Sequence, residues 1–205
     1  GPGTSYMKLD GLVRAGGRGT RLKIQVEKPL LPFCGRPLVE RVIGALKGSR
    51  YIDRIFVATS ERTRGTEKLM GEMGIATIRT PGKGYVEDLV YAVEKLGLGK
   101  VLTIGSDLPL ITSADIDWTA EEYERAGKSA LTILVPREVL ERHGLTPTLL
   151  IGNYVPSGVN ILDGHDLDGE EAKVITEKVQ FAFNVNTLKE LALAEGQKEE
   201  SHARE

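Results

Sequence analysis

Leu12-Val13-Arg14-Ala15-Gly16-Gly17-Arg18-Gly19-Thr20-Arg21 is the stretch that decides the fold. Apolar strand residues run straight into a loop with three glycines and two arginines. Glycines let a backbone approach a phosphate closely and turn its amide N–H groups toward it, while Arg18 and Arg21 can add charge-assisted hydrogen bonds. A tight strand-to-helix turn with solvated arginines is the plainer alternative, because short glycine motifs match by chance often.

Working outward, three more β-rich apolar runs follow, at Ile55-Phe56-Val57-Ala58, Val101-Leu102-Thr103-Ile104 and Ala130 to Val135. Segments with helical spacing lie between them. Pro37 to Lys47 puts Leu38, Val42, Ala45 and Leu46 on one face, with Gly48 as C-terminal cap. Val86 to Leu96 repeats that design; Thr112 or Ser113 is expected to cap a helix through Arg125, and Thr187 a last one through Ala194. Strands alternating with helices predict an α/β fold, a Rossmann-like, doubly wound, mostly parallel sheet in a single domain. Residues 145–170, rich in Gly, Pro and Asp, are expected to be hairpin or loop material over the sheet. The domain is expected to span residues 7–194, after a tag remnant at 1–6 and before a mobile, charged tail at 195–205.

The charge balance, 27 basic against 29 acidic residues for a formal −2, supplies no general field for nucleic acid or an anionic membrane. Any anion must be held locally. The lone Cys34 allows no disulfide within the chain, and no apolar run approaches the roughly 18 residues of a membrane span. These features predict a cytoplasmic protein without membrane insertion.

Two familiar glycine motifs are excluded. A dinucleotide fingerprint would need glycine where Leu22 stands. Gly127-Lys128-Ser129 ends like a P-loop, but Glu122 replaces its first glycine, and the tripeptide follows a helix rather than a strand.

In Glu27-Lys28-Pro29-Leu30, a rigid proline fixes Lys28 where its ammonium could reach the same phosphates; an ordinary surface lysine is the alternative. The third strand ends in Gly105-Ser106-Asp107-Leu108-Pro109, and open α/β sheets place ligands at the carboxyl ends of their strands. Asp107 is therefore a candidate magnesium ligand, or else a turn cap before Pro109. Thr80-Pro81-Gly82-Lys83-Gly84-Tyr85 leads into a helix carrying Glu87 and Asp88, and either borders a base or ribose or serves only as a helix start. His143, His165 and His202 lie in no motif, so a histidine base has little support. A phosphate monoester with a second pKa of about 6 is already largely a dianion at neutral pH and needs none.

The glycine loop, Glu27-Lys28-Pro29-Leu30, Gly35-Arg36-Pro37-Leu38 and Ser106-Asp107-Leu108-Pro109 together resemble the nucleotidyltransferase superfamily that includes the molybdenum-cofactor guanylyltransferases. Gly82-Lys83-Gly84-Tyr85-Val86-Glu87-Asp88-Leu89, Val155 to Asn160 and Phe183 to Thr187 resemble its archaeal GTP:adenosylcobinamide-phosphate guanylyltransferases. The resemblance implies transfer of GMP from GTP to adenosylcobinamide phosphate with release of pyrophosphate, in cobalamin biosynthesis, by a homodimer using Mg²⁺. It implies that Ala15, Gly16, Gly17, Arg18, Gly19, Thr20 and Arg21 hold the triphosphate with Lys28, that Gly82 and Gly84 border the nucleotide, and that Asp107 and Asn186 ligate the metal. Arg18, Lys28 and Asp107 would be catalytic, and Gly158 and Asn160 would contact the acceptor.

For Asn186 a helix cap is the alternative, and for residues 156–160 a glycine-kinked strand. Arg14 stands where relatives usually show Met, and Arg79 where some carry an acidic residue near the base. A charged side chain ending a core strand must find water, a partner or a ligand phosphate. A molybdenum-cofactor guanylyltransferase, a sugar-phosphate nucleotidyltransferase and a non-catalytic nucleotide-binding regulatory module stay open as alternatives.

Overall fold

The computed structural model describes residues 7–17 and 26–204. Along the chain run β1 (Leu9–Arg14), β2 (Pro32–Phe33), β3 (Arg36–Pro37), α1 (Leu38–Lys47), β4 (Ile52–Thr59), α2 (Arg64–Glu72), β5 (Ala76–Arg79) and α3 (Tyr85–Leu96). Then come β6 (Lys100–Gly105), α4 (Ser113–Ala126), β7 (Ala130–Pro136), α5 (Arg137–Arg142), β8 (Tyr154–Asp163), β9 (Glu171–Ile175) and α6 (Leu188–Arg204).

Seven strands form one sheet in the order β5-β4-β1-β6-β8-β7-β9, and only β8 pairs antiparallel to its neighbours. β1 is central and buried on both faces, as a strand of a doubly wound sheet must be. Its alternating side chains feed two cores. Leu12 joins Ala58, Ala92, Val93 and Val101 under α3, while Leu9 and Val13 join the larger cluster with α1 and α4. Arg14 follows Leu12 by two residues and therefore emerges on the α3 face, at the carboxyl edge of the sheet.

Local chemistry sets the helix ends. The Thr112 hydroxyl and the Asp115 carboxylate form a reciprocal capping box at the start of α4, and Gly127 closes it at φ 62°. Thr187 caps α6: its Oγ1 accepts from Glu190 N at 3.1 Å, while Glu190 Oε1 accepts from Asn186 N, one residue before the cap, at 3.0 Å.

Two expectations are corrected. Within 145–170, Tyr154–Asp163 is no surface hairpin but a central strand inserted between β6 and β7. Val155, Ser157, Val159 and Ile161 are buried alternately, a period of two that Pro156 and Gly158 disguise. The final helix does not stop at Ala194 but runs to Arg204, because Glu, Gln, Lys, Ala and Arg, good helix formers, outnumber Gly196, Ser201 and His202 in the charged stretch. Lys198 Nζ there lies 5.6 Å from the Phe33 ring centroid. Among the described residues no helix is long and apolar enough to cross a membrane.

Candidate active site

The site begins with how Lys28 is held. A single 3-10 turn, Lys28–Leu30, starts with Pro29 buried at its second position. Next to it, the Glu27 carboxylate accepts from Gly65 N at 2.8 Å, Thr66 N at 2.9 Å and Thr66 Oγ1 at 2.8 Å. A carboxylate on the first amides of a helix satisfies orphan donors and complements the dipole, so Glu27 ties this turn to α2. On the other side the chain turns through Cys34 (φ 49°) and Gly35 (φ 83°), the two-residue hairpin joining β2 to β3. Lys28 is thus fixed at both flanks.

Its ammonium donates to Asp107 Oδ2 at 3.0 Å and to Asn186 Oδ1 at 3.0 Å. The Lys28 and Asp107 side chains are 18% and 21% exposed, shielded enough for charge to count and open enough for a ligand to enter. Asp107 is not a turn cap, and Thr187 rather than Asn186 caps α6, so both alternatives read from sequence give way to one cluster. Asn186 Nδ2 donates to Asn184 O at 3.4 Å, which leaves its carbonyl oxygen aimed at the cation. Two hard oxygen donors converging on one positive charge suit magnesium, which takes few protein ligands and fills its shell from phosphates and water. Among the described residues no group of three His, Cys, Asp or Glu competes as a metal centre.

Around this cluster lies a cavity of about 440 Å³ lined by Ala15, Gly16, Gly17, Lys28 and Asp107 on one side and by Gly82 and Gly84 on the other. Gly16 is packed closely against β4: a Cβ there would stand 3.2 Å from the Thr59 carbonyl carbon, a tight contact, and Ser60 Oγ donates to Gly16 O at 2.6 Å. Gly82 (φ 77°) and Gly84 (φ 124°) bend the chain before α3, where Asp88 Oδ1 accepts from Gly82 N and Lys83 N at 3.0 and 3.1 Å. Arg18, Gly19, Thr20 and Arg21 lie outside the described residues.

A second cavity, of about 860 Å³, opens on the β8 side. Gly158 and Asn160 line it, as do the apolar Val86, Val90, Leu149 and Leu167. Where Thr132 pairs with Asn160 and Leu134 with Pro156, β8 carries a bulge opposite Ile133. Gly158, at φ 86°, points its carbonyl to Arg14 Nη2 at 2.7 Å. The glycine-kinked strand and the cavity wall are thus one feature.

The MobA-like NTP transferase domain family matches residues 11–198 of the chain. The chain belongs to that family. An adenosylcobinamide-phosphate guanylyltransferase from Methanocaldococcus jannaschii is 33% identical over 198 residues, covering 91% of this chain and 96% of its own. A probable molybdenum cofactor guanylyltransferase from Pyrococcus horikoshii is 33% identical over 132 residues, 64% of this chain and 63% of its own. The solved structure of a CMP:2-keto-3-deoxy-manno-octonic acid synthetase, complexed with CTP, superposes with a TM-score of 0.72 at 14% identity. It covers 95% of this chain and 99% of its own, which is a likeness of fold.

Within this MobA-like NTP transferase domain, Arg79 is placed away from the cavities. On edge strand β5 it pairs with Glu67 at 2.8 Å and Glu61 at 3.5 Å, and the hydrogen bonds it donates to Glu67 raise its pKa. Sequence reading gave Tyr85 and Asn184 no role of their own beyond the segments they sit in, and Thr132 none, although Tyr85 and Asn184 border both cavities. Their signal was faint because single polar residues on strands and helix starts are common; only the pairing register brings Thr103, Asn160 and Thr132 side by side.

Proposed function

We propose that this chain transfers GMP from GTP to adenosylcobinamide phosphate, releasing pyrophosphate, in cobalamin biosynthesis. One observation carries the reading: Lys28 faces the smaller cavity, Asn186 the larger, and Asp107, which binds Lys28 and borders both, marks their seam. Such a seam is where a donor α-phosphate and an acceptor phosphate meet. The near full-length likeness to the Methanocaldococcus guanylyltransferase supplies the identity of the two substrates.

In this reading the glycine loop with Arg18 and Arg21 cradles the triphosphate, and Gly82 and Gly84 border the nucleoside. Asp107 and Asn186 hold Mg²⁺, which when bound neutralises phosphate charge and polarises the α-phosphoryl group. Lys28 adds a fixed positive charge beside the same oxygens. An oxygen of the acceptor phosphate forms the new bond to the α-phosphorus. The bond from that phosphorus to the bridging oxygen breaks, and pyrophosphate leaves with the electron pair. No protein base is required, since the acceptor is largely a dianion at neutral pH. The volume and apolar lining of the second cavity suit a bulky acceptor better than a sugar phosphate. Cytoplasmic location and assembly as a homodimer belong to the same reading.

Incubation of the protein with GTP, Mg²⁺ and adenosylcobinamide phosphate is expected to yield pyrophosphate and a guanylylated corrinoid, with ATP in place of GTP giving far less. A panel of other phosphate monoesters, molybdopterin and sugar phosphates included, decides among acceptors. Binding of GTP without pyrophosphate from any acceptor would establish a regulatory nucleotide-binding module instead.

A further inference from the structure

Arg14 is a half-buried guanidinium in the wall shared by the two cavities. Its Nη1 donates to Tyr85 Oη at 3.2 Å and Thr103 Oγ1 at 3.1 Å, and its Nη2 donates to Gly158 O at 2.7 Å. The guanidinium carbon lies 4.7 Å from the Tyr85 ring centroid. Asn160 Nδ2 donates to the same Tyr85 hydroxyl at 3.0 Å, while its Oδ1 accepts from Thr132 Oγ1 at 2.5 Å.

Every one of these acceptors is neutral. Among the described residues no carboxylate lies within 4.0 Å of Arg14, and Nε–H and one Nη2–H are left without a partner. A half-buried cation oriented by three elements yet without a carboxylate in direct contact is costly unless a ligand anion completes it. Gly105 brings that charge beside the metal-ligating carboxylate: a Cβ there would stand 2.5 Å from Asp107 Oδ1 and 3.5 Å from Arg14 Nη2.

We propose that Arg14, braced by Tyr85, Thr103 and the Gly158 carbonyl, is the seat of the acceptor's phosphate monoester and sets it beside the donor α-phosphate. The inference rests on the acceptor reading above. Two phosphate sources border Arg14, the acceptor monoester and the GTP triphosphate. The acceptor is favoured because Gly158 and Asn160, which complete the network, line the larger cavity alone. Planar guanidinium forks match phosphate oxygens, and a charged hydrogen-bonded contact of this kind is worth about tenfold to a hundredfold in affinity.

The test compares the unaltered protein with Arg14→Met and Arg14→Lys, measuring affinity for adenosylcobinamide phosphate, for adenosylcobinamide lacking the phosphate, and for GTP. The unaltered protein is expected to prefer the phosphorylated corrinoid about tenfold or more. Arg14→Met is expected to erase that preference while changing affinity for GTP and for the bare corrinoid less than about twofold; Arg14→Lys should retain part of it. A merely structural role would weaken both corrinoids alike, and a donor-side role would weaken GTP; either result overturns the proposal. A variant that keeps the full preference overturns it too. If Arg14→Met does not fold, Arg14→Lys reads the same difference. An unaltered protein that neither binds nor guanylylates the phosphorylated corrinoid refutes the acceptor reading itself, and this inference with it, before any variant is made.

Discussion

The two halves of the sheet handle charge in opposite ways. On the side of β4, β1 and β6, parallel strands empty into loops of glycine, lysine and aspartate, and the first cavity is small, with Lys28, Arg62, Asp88 and Asp107 among its lining. On the side of β8, β7 and β9, an antiparallel strand interrupts the parallel order, and the second cavity is twice as large with a mostly apolar wall. A triphosphate needs many fixed donors and little else, whereas a bulky acceptor needs area. In the function proposed above, chemistry falls on one half and acceptor selection on the other, and Asp107 and Arg14 line both cavities at the seam. Substitutions on the first half should therefore cost rate, and those on the second should cost acceptor affinity or the fold itself.

The largest expected effect is at Asp107. Asp107→Asn keeps the side-chain shape but removes the charge shared with Lys28, and is expected to lower kcat by about two to three orders of magnitude. GTP affinity, measured by calorimetry, should fall by far less, since in the proposed reading the triphosphate is held by the glycine loop rather than by Asp107. Turnover near that of the unaltered protein would remove Asp107 from the chemistry and dissolve the contrast between the halves.

Next comes a change that leaves the charges alone and crowds the backbone just after β8. At Gly164 an added Cβ would stand 2.0 Å from Leu98 O and 2.7 Å from Val93 Cγ1, in the turn that also bonds Gly164 N to Gly99 O at 2.8 Å. Gly164→Ala is expected to cost about 1–3 kcal/mol of stability, read as a lowered thermal midpoint, because a backbone carbonyl cannot step aside as a flexible side chain could. The kcat of the molecules that remain folded should be little changed, the reverse of the Asp107 pattern.

How much of this was legible beforehand follows from the same contrast. The parallel half announces itself locally: Leu12-Val13 before Gly16-Gly17, Ile104 before Asp107, Thr112 with Asp115 and Thr187 with Glu190 are each read within a few residues, and the structure places them accordingly. The family was legible from the same motifs. Strand β8 was legible only in part: a glycine-kinked strand was offered for residues 156–160, but its full length and its central place were not, because Pro156 and Gly158 look like turn residues and its partners lie far away in sequence. Nor was the Arg14 network, since Tyr85, Gly158 and Asn160 reach one point only through sheet register and a bulge. Asn186 was undecided in sequence because a cap and a ligand share the same residue type; the structure gives the cap to Thr187 and sets the Asn186 carbonyl oxygen on Lys28.

A smaller effect is expected at the rim of the acceptor cavity, where Leu149 is 62% exposed. An exposed leucine contributes little to the fold, so its value lies in what it covers. Leu149→Ser is expected to raise the KM for the corrinoid by about threefold to tenfold with kcat and GTP affinity unchanged. An equal rise for a small phosphate-monoester acceptor would show that the apolar wall does not read acceptor bulk.

The smallest expected effect lies farther out on the same half. The Lys128 ammonium hydrogen-bonds Glu170 and, with its charge, holds that carboxyl below its ordinary pKa. A lowered folded-state value adds stability above the unfolded pKa, and that contribution is lost as pH falls through the folded one. Both side chains are largely exposed, so water and salt screen the pair and the flexible lysine offsets what is left. Glu170→Gln should leave the thermal midpoint superimposable on that of the unaltered protein between about pH 6 and pH 3. A clear loss confined to the upper part of that range would mean that the pair fixes the register of β9 against β7, and that the acceptor half, for all its apolar wall, also leans on charge.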